Sequence, residues 1–197
     1  MRYGPEHKAR TRERILREAG RLFRRRGYRG VGIDRIMAAA KLTRGGFYAH
    51  FPSKQALFAA VVEGGSDFVS RLRAARGDAT PASAEPACAV VRAYLDPANR
   101  EKIGRGCTLA SLTQDVPRTG VAAQRAYARL VRALCAELEA HLPADLPRAE
   151  RSERARAAVV CCVGGIGLAR GVGDEALAEA ILRTARERAC AALRGEG

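Results

Sequence analysis

The chain has 197 residues, 35 Lys or Arg against 21 Asp or Glu, a formal net charge of +14 and only 5% aromatic residues, so it is long enough for a large core or for a small domain joined to a larger one. Alanine, leucine, arginine and glutamate dominate and β-branched residues rarely run together, which argues against a sheet and predicts an all-α protein. Residues 1–60 hold 15 basic against 4 acidic side chains and the rest 20 against 17, a basic front module on a nearly balanced body, suited to neutralising phosphates.

In chain order, Ile15, Ala19, Leu22 and Phe23 form one apolar stripe of a helix from about Glu6 to Arg26, with Gly27 as its stop. Ile33, Ile36, Met37 and Ala40 repeat the spacing in a second, short helix that Lys41-Leu42-Thr43 interrupts. Thr43 is the expected N-cap of a third helix ended by Pro52, and Ser53 the cap of the next. Phe47 and Phe51, four apart, are expected to anchor the third helix on Ile36, Leu42 and Leu22, leaving its other face free. Further helices are expected over 54–76, 84–95, 106–114, 119–141, 148–171 and 174–193. The breaks are marked by Pro81 and Pro86, Asp96-Pro97, Pro117 and Gly120, and the Pro143 to Pro147 segment.

Other readings are narrowed by what the sequence lacks. The charged start, Met1 to Arg10, offers no apolar run for a signal peptide, which predicts a cytoplasmic protein. The six cysteines have no C-x-x-C spacing, and free thiols are expected, with no metal and no cofactor. Ala157 to Ala169 is apolar all round but too short to span a bilayer, and no basic helix has a broad bulky apolar face, so no membrane partner is expected. Gly164, Gly165, Gly167 and Gly171 lack the strand and the Lys-Ser/Thr of a phosphate-binding loop. They instead permit close helix packing. His7, His50 and His141 lie in separate segments without an evident nucleophile partner, which argues against an enzyme.

The run from Thr43 to Lys54, TRGGFYAHFPSK, resembles the recognition-helix signature of TetR/AcrR regulators. Thr11 to Phe23 (TRERILREAGRLF), Gly27-Tyr28 and Ile33 to Ala40 (IDRIMAAA) are similar to that family's first two helices in order and spacing. The resemblance implies a three-helix helix-turn-helix DNA-binding domain over 1–53 and a helical ligand-binding and dimerisation domain over 54–197. It implies that Thr43, Arg44, Gly45 and Gly46 face base edges, with Arg44 aimed at guanine. Tyr48, His50 and Lys54, with Thr11 and Gly32, then hold phosphates. Three positions depart from the family pattern: Gly46 lacks a side chain, Ala49 replaces a bulky residue, and Gly32 stands where Ser or Thr is common.

Tyr94 to Arg100 and Gly106 to Leu112 look like a subgroup of these regulators with a Gly-Cys pair, some of which sense electrophiles or oxidants. Cys107 at a helix N-terminus, near Arg105, is a candidate for that role, with a buried packing residue as the alternative. Inward-facing candidates for the ligand pocket are Tyr94, Cys107, Ser111, Tyr127 and Cys135, with His141 a weaker one. The apolar segment at 157–169 and the last helix, through Ala176, Leu177, Ala180, Ile181 and Ala185, are the expected homodimer face. The resulting expectation is a repressor released from double-stranded operator DNA by an unknown small-molecule inducer or an electrophile. An activator, a non-specific basic DNA-binding protein and an adaptor that no longer binds DNA are the alternatives.

Overall fold

A computed structural model of the protein describes residues 5–64, 67–77 and 83–196, and the described residues hold helices and turns but no strand. Residues 1–4 of the expected charged start, and Pro81, lie outside them. The helices group into two compact units. The first comprises Met1–Gly65 with Gly104–Leu130, and the second Ser66–Ile103 with Val131–Gly197. The first unit therefore takes in more chain than residues 1–53.

In the first unit, α1 (Pro5–Arg26) is followed by α2 (Ile33–Ala39), a six-residue 3-10 helix (Arg44–Ala49) and α3 (Lys54–Glu63). The stripe read from the sequence is the buried one: Ile15, Ala19, Leu22 and Phe23 are each at most 7% exposed. Gly27 ends α1 with φ +69°, a left-handed conformation that costs glycine nothing. Lys41 closes the turn after α2 with φ +54°. Phe23 meets Phe58 edge to face at 5.3 Å, and Tyr28 packs on the same ring at 5.1 Å. The later chain contributes α6 (Thr108–Leu112), α7 (Val116–Thr119) and the first half of α8 (Val121–Glu139) to this unit. Leu112, Val116, Ala123 and Ala126 join the core that holds Phe47 and Phe51, and α6 packs on both α1 and α3.

Three expected elements differ. The expected helix over 54–76 is two: α3 stops at a C-cap on Gly64, and α4 (Asp67–Arg76) belongs to the second unit. The one expected over 119–141 starts only at Val121, because Gly120 takes φ +112° and ψ 172°, a backbone region open to glycine alone. The third helix is 3-10 rather than α, with two consecutive glycines, poor helix formers, near its start. Thr43 has the extended geometry of an N-cap, but its hydroxyl makes no capping bond. Ser53 does cap α3, its Oγ accepting from the Ala56 N–H at 3.0 Å.

The second unit is built from α4, α5 (Glu85–Tyr94), the end of α8, α9 (Arg148–Gly171) and α10 (Glu175–Arg194). Pro86 does not flank the loop but sits in the first turn of α5, where a missing N–H costs nothing. The antiparallel pair α9 and α10 is the main contact of this unit. It approaches most closely at Gly165, where an added Cβ would stand 2.4 Å from that of Ala185. Gly165→Ala is expected to destabilise the protein by about 2 kcal/mol in urea unfolding, the overlap outweighing a helix-propensity gain of about 1 kcal/mol. At Gly167 the same change meets open space and should gain that propensity in the monomer.

His141, the weaker of the inward-facing candidates, is fully buried, its Nε2 2.9 Å from the carbonyl oxygen of Leu72. The carbonyl can only accept, so Nε2 carries the proton. No helix among the described residues is long and apolar enough to cross a membrane.

Candidate nucleic-acid interface

The candidate site is the outer face of the second and third helical segments and the turn joining them. Phe47 and Phe51 point inward, 0% and 3% exposed, with ring centroids 6.0 Å apart. They lie in one core with Leu22, Ile36 and Met37, with Leu42 packed against it. Anchoring on these two rings turns the opposite face of the 3-10 helix outward. Thr43, Arg44, Gly45 and Tyr48 are exposed, and Gly46 is half-buried. Tyr48 is 61% exposed and braced edge-on against Phe47 at 5.2 Å. An exposed tyrosine on a rigid helix offers a hydroxyl donor at little entropic cost.

Gly32 and Gly45 have nothing within 4 Å of an added Cβ, and Gly46 meets only the Met37 methyl at 3.8 Å. None of the three adopts a positive φ. The fold therefore requires glycine at none of them, and what they leave is bare backbone on the outer face. Gly32 is the N-cap residue of α2, extended at φ −85° and ψ 161° and without a side-chain cap, so the first N–H groups of α2 face outward unpaired by a side chain.

The charged members are arranged as follows. Arg44 forms an exposed ion pair with Asp34, Nη1 to Oδ2 2.9 Å, which holds its guanidinium beside the start of α2. Such a pair is worth at most about 1 kcal/mol in solvent and yields readily to a base or phosphate. Lys54 lays its ammonium over the Tyr28 ring, 4.1 Å from the centroid, and burial lowers its pKa while the Asp115 carboxylate raises it. Burial holds the His50 imidazole below its ordinary range, and the positive charges of Lys8, Arg12 and His7 push it the same way. Arg12 in turn lies over the Phe51 ring at 4.9 Å. Thr11 is 7% exposed, so its side chain belongs to the interior of the module and only its backbone is left for a phosphate.

Sequence reasoning missed Asp34, the partner of Arg44, and the cations Lys8 and Arg12 that gather around His50. Their signal was the basic excess of the first helix, which gives no positions by itself. The pocket candidates fall in both units: Cys107, Ser111 and Tyr127 in the first, Tyr94 and Cys135 in the second. Cys107 is 7% exposed at the N-cap position of the five-residue α6. Tyr127 packs against the first unit's core, its hydroxyl 2.9 Å from that of Thr113. Burial raises its pKa, against the Thr113 bond, which lowers it. Tyr94 stacks on Phe68 at 4.3 Å, and burial raises the Cys135 thiol.

Comparison with known proteins agrees with this geometry. Residues 15–61, from the core stripe of α1 through α3, match the family described as bacterial regulatory proteins, tetR family. The chain is 27% identical over 106 residues to the HTH-type transcriptional repressor DhaR of Mycobacterium sp. (strain GP1). That stretch is 54% of this chain and spans about half, 52%, of the repressor's length. Among solved structures, a TetR-family transcriptional regulator from Streptomyces coelicolor shares 25% identity and a TM-score of 0.72, over 95% of this chain and 96% of the other. The reduced form of NemR from E. coli has the same fold, with a TM-score of 0.72 at 20% identity over 90% of this chain and 95% of NemR. The aromatic-anchored module, the all-helical architecture and the matching sequence lead to one conclusion: residues 15–61 form a module of the tetR family of bacterial regulatory proteins, in a chain that shares the fold of TetR-family regulators.

Proposed function

We propose that the protein is a cytoplasmic homodimeric repressor that binds double-stranded operator DNA through residues 1–53 and releases it when residues 54–197 bind an inducer, a small molecule or an electrophile. The observation that carries this reading is the short helix Arg44–Ala49, fastened from below by Phe47 and Phe51 and presenting Thr43, Arg44, Gly45 and Tyr48 outward. A duplex presses close against bare backbone, and open glycines at 32, 45 and 46 suit that approach. Arg44 reads a base edge while Tyr48, His50, Lys54 and the N–H groups at Gly32 and Thr11 hold phosphates. Arg44→Ala is expected to cost about 1–3 kcal/mol of specific affinity and to relax the base preference at one position. Titrating variant and parent against base-substituted duplexes checks this.

The homodimer is supported by an unpartnered apolar face on α9 and α10. Val160 is 71% exposed, Leu168 63% and Leu177 49%, and Gly164, Gly167 and Gly171 lie in open space on the same helix. A second copy seated there by a two-fold axis buries those side chains and uses the glycines for close approach. Induction is supported inside the first unit, where α6 packs on α1 and Arg24 of α1 donates to the Gly104 carbonyl at 3.0 Å and to the Thr108 hydroxyl at 3.4 Å. An inducer that contacts Cys107, Ser111 or Tyr127 displaces α6 and with it the helix carrying the DNA-binding module; differential affinity for that conformer is what releases DNA.

The test is fluorescence-anisotropy titration of the purified protein with DNA from upstream of its own gene and with a shuffled duplex of equal length, at near-physiological salt and with excess competitor DNA. Binding to the first alone supports a specific regulator. Equal binding to both overturns specific recognition of that DNA and favours a non-specific basic DNA-binding protein, as the sparse side chains at Gly46 and Ala49 would allow.

A further inference from the structure

Cys88 on α5 and Cys190 on α10 are 102 residues apart in sequence and meet where the two helices pack. Each sulfur is turned toward the other residue's backbone. Cys88 Sγ lies 4.0 Å from the Cys190 carbonyl oxygen and Cys190 Sγ 3.8 Å from that of Cys88. This reciprocal arrangement puts both thiols in one gap between α5 and α10. Cys88 is sealed inside the unit, whereas Cys190 lines an open cleft of about 600 Å³. Arg92, Arg183, Arg186, Arg188 and Arg194 line the same cleft against two glutamates.

We propose that Cys190 and Cys88 form a dithiol site that hydrogen peroxide entering this cleft oxidises to an intramolecular disulfide. The Cys190 thiolate attacks one peroxide oxygen, the O–O bond breaks, and the departing hydroxide takes up a proton to leave as water. Cys190 is then a sulfenic acid. The Cys88 thiol gives up its proton as its sulfur attacks the Cys190 sulfur; the S–O bond breaks, the S–S bond forms and a second water leaves. In total two thiols lose two electrons and two protons, and one peroxide becomes two waters.

The surroundings assign the order of attack. The neighbouring Cys88 thiol, and then the guanidiniums of Arg92 and Arg194, bring the Cys190 thiol down to about 7, against burial and Glu85. The pairing with Cys190 and burial push Cys88 upward, so it serves as the resolving thiol. Glu85 is itself paired with both arginines, which blunts its repulsion of a thiolate. Burial pushes Cys135 and Cys161 up. The disulfide ties α5 to α10, the last helix of the second unit.

The test uses the reduced full-length protein, treated with hydrogen peroxide, alkylated at the remaining thiols, digested without reductant and mapped by mass spectrometry. The expected product is a peptide pair joined through Cys88 and Cys190, split by dithiothreitol and formed before the other four cysteines are consumed. It should persist in the C107S variant. In the C88S variant dimedone should trap Cys190 as a sulfenic acid. Alkylated Cys88 and Cys190 in a sample whose other cysteines are oxidised would overturn the proposal. The readout is covalent and needs no DNA, so it stands or falls separately from the operator-binding reading.

Discussion

Phe47→Ala is expected to abolish DNA binding by unfastening the presenting helix, at a cost of about 3–5 kcal/mol in folding stability. Phe47 is fully buried and ring-packed with Phe51 and Tyr48, in the cluster that also holds Ile36 and Met37. A 3-10 helix of six residues has little stability of its own, so this ring is what holds the outward face in one orientation. The loss is comparable with the total stability of a small module, about 5–15 kcal/mol. Guanidinium unfolding and anisotropy on the same preparation separate the two effects. Phe47→Leu, which keeps most of the volume, should retain binding. Tyr48→Ala supplies the contrast: its side chain is mostly exposed, so stability should change by less than about 0.5 kcal/mol while affinity for DNA falls. A Tyr48→Ala protein that binds DNA like the parent would remove Tyr48 from the interface.

Arg100→Ala is expected to destabilise the second unit by about 3 kcal/mol. Its Nε donates to the Ala169 carbonyl at 2.7 Å and its Nη2 to that of Val172 at 2.8 Å, and Nη1 pairs with Glu175. The end of α9 leaves carbonyls without helical partners, and a cation there also answers the helix dipole. With a side chain only 17% exposed, each charge-assisted bond carries about 1.5 kcal/mol. Arg170 completes the clamp by donating to the carbonyls of Arg100 and Asn99 at 3.2 and 3.1 Å. Arg100→Lys, which keeps the charge but loses the planar fork, should recover only part of the loss in urea melts. A full recovery would show that charge alone matters at this helix end.

Phe47 and Phe51 were readable because four-residue spacing puts two rings on one helical face, and the stripe of α1 was readable for the same reason. The bounds of α9 and nearly those of α1 followed from Pro147, Gly171 and Gly27, residues whose backbone limits act locally. The split at Gly64 was not legible, because the helical apolar pattern runs through that glycine, whereas the break at Gly120 was legible and only the exact start of the helix after it was missed. The 3-10 geometry of Arg44–Ala49 was hidden for a related reason: the spacing of Phe47 and Phe51 is that of an α-helix, and Gly45-Gly46 weakens that preference without naming its replacement. Thr43 had the right identity and backbone for a cap, yet its hydroxyl is not used as one. His141, Arg100 and the Cys88 and Cys190 pair depend on contacts 69 to 102 residues apart, which no local pattern encodes.

If two copies of the Arg44–Ala49 face read a duplex together, selection of bound duplexes from a randomised pool by the purified protein will show it. The expected product is an inverted repeat whose half-sites lie about one helical turn apart or a multiple of it, with a preferred base lost when Arg44→Ala repeats the selection. A pool that stays random after successive rounds, with affinity falling only as salt rises, would contradict it.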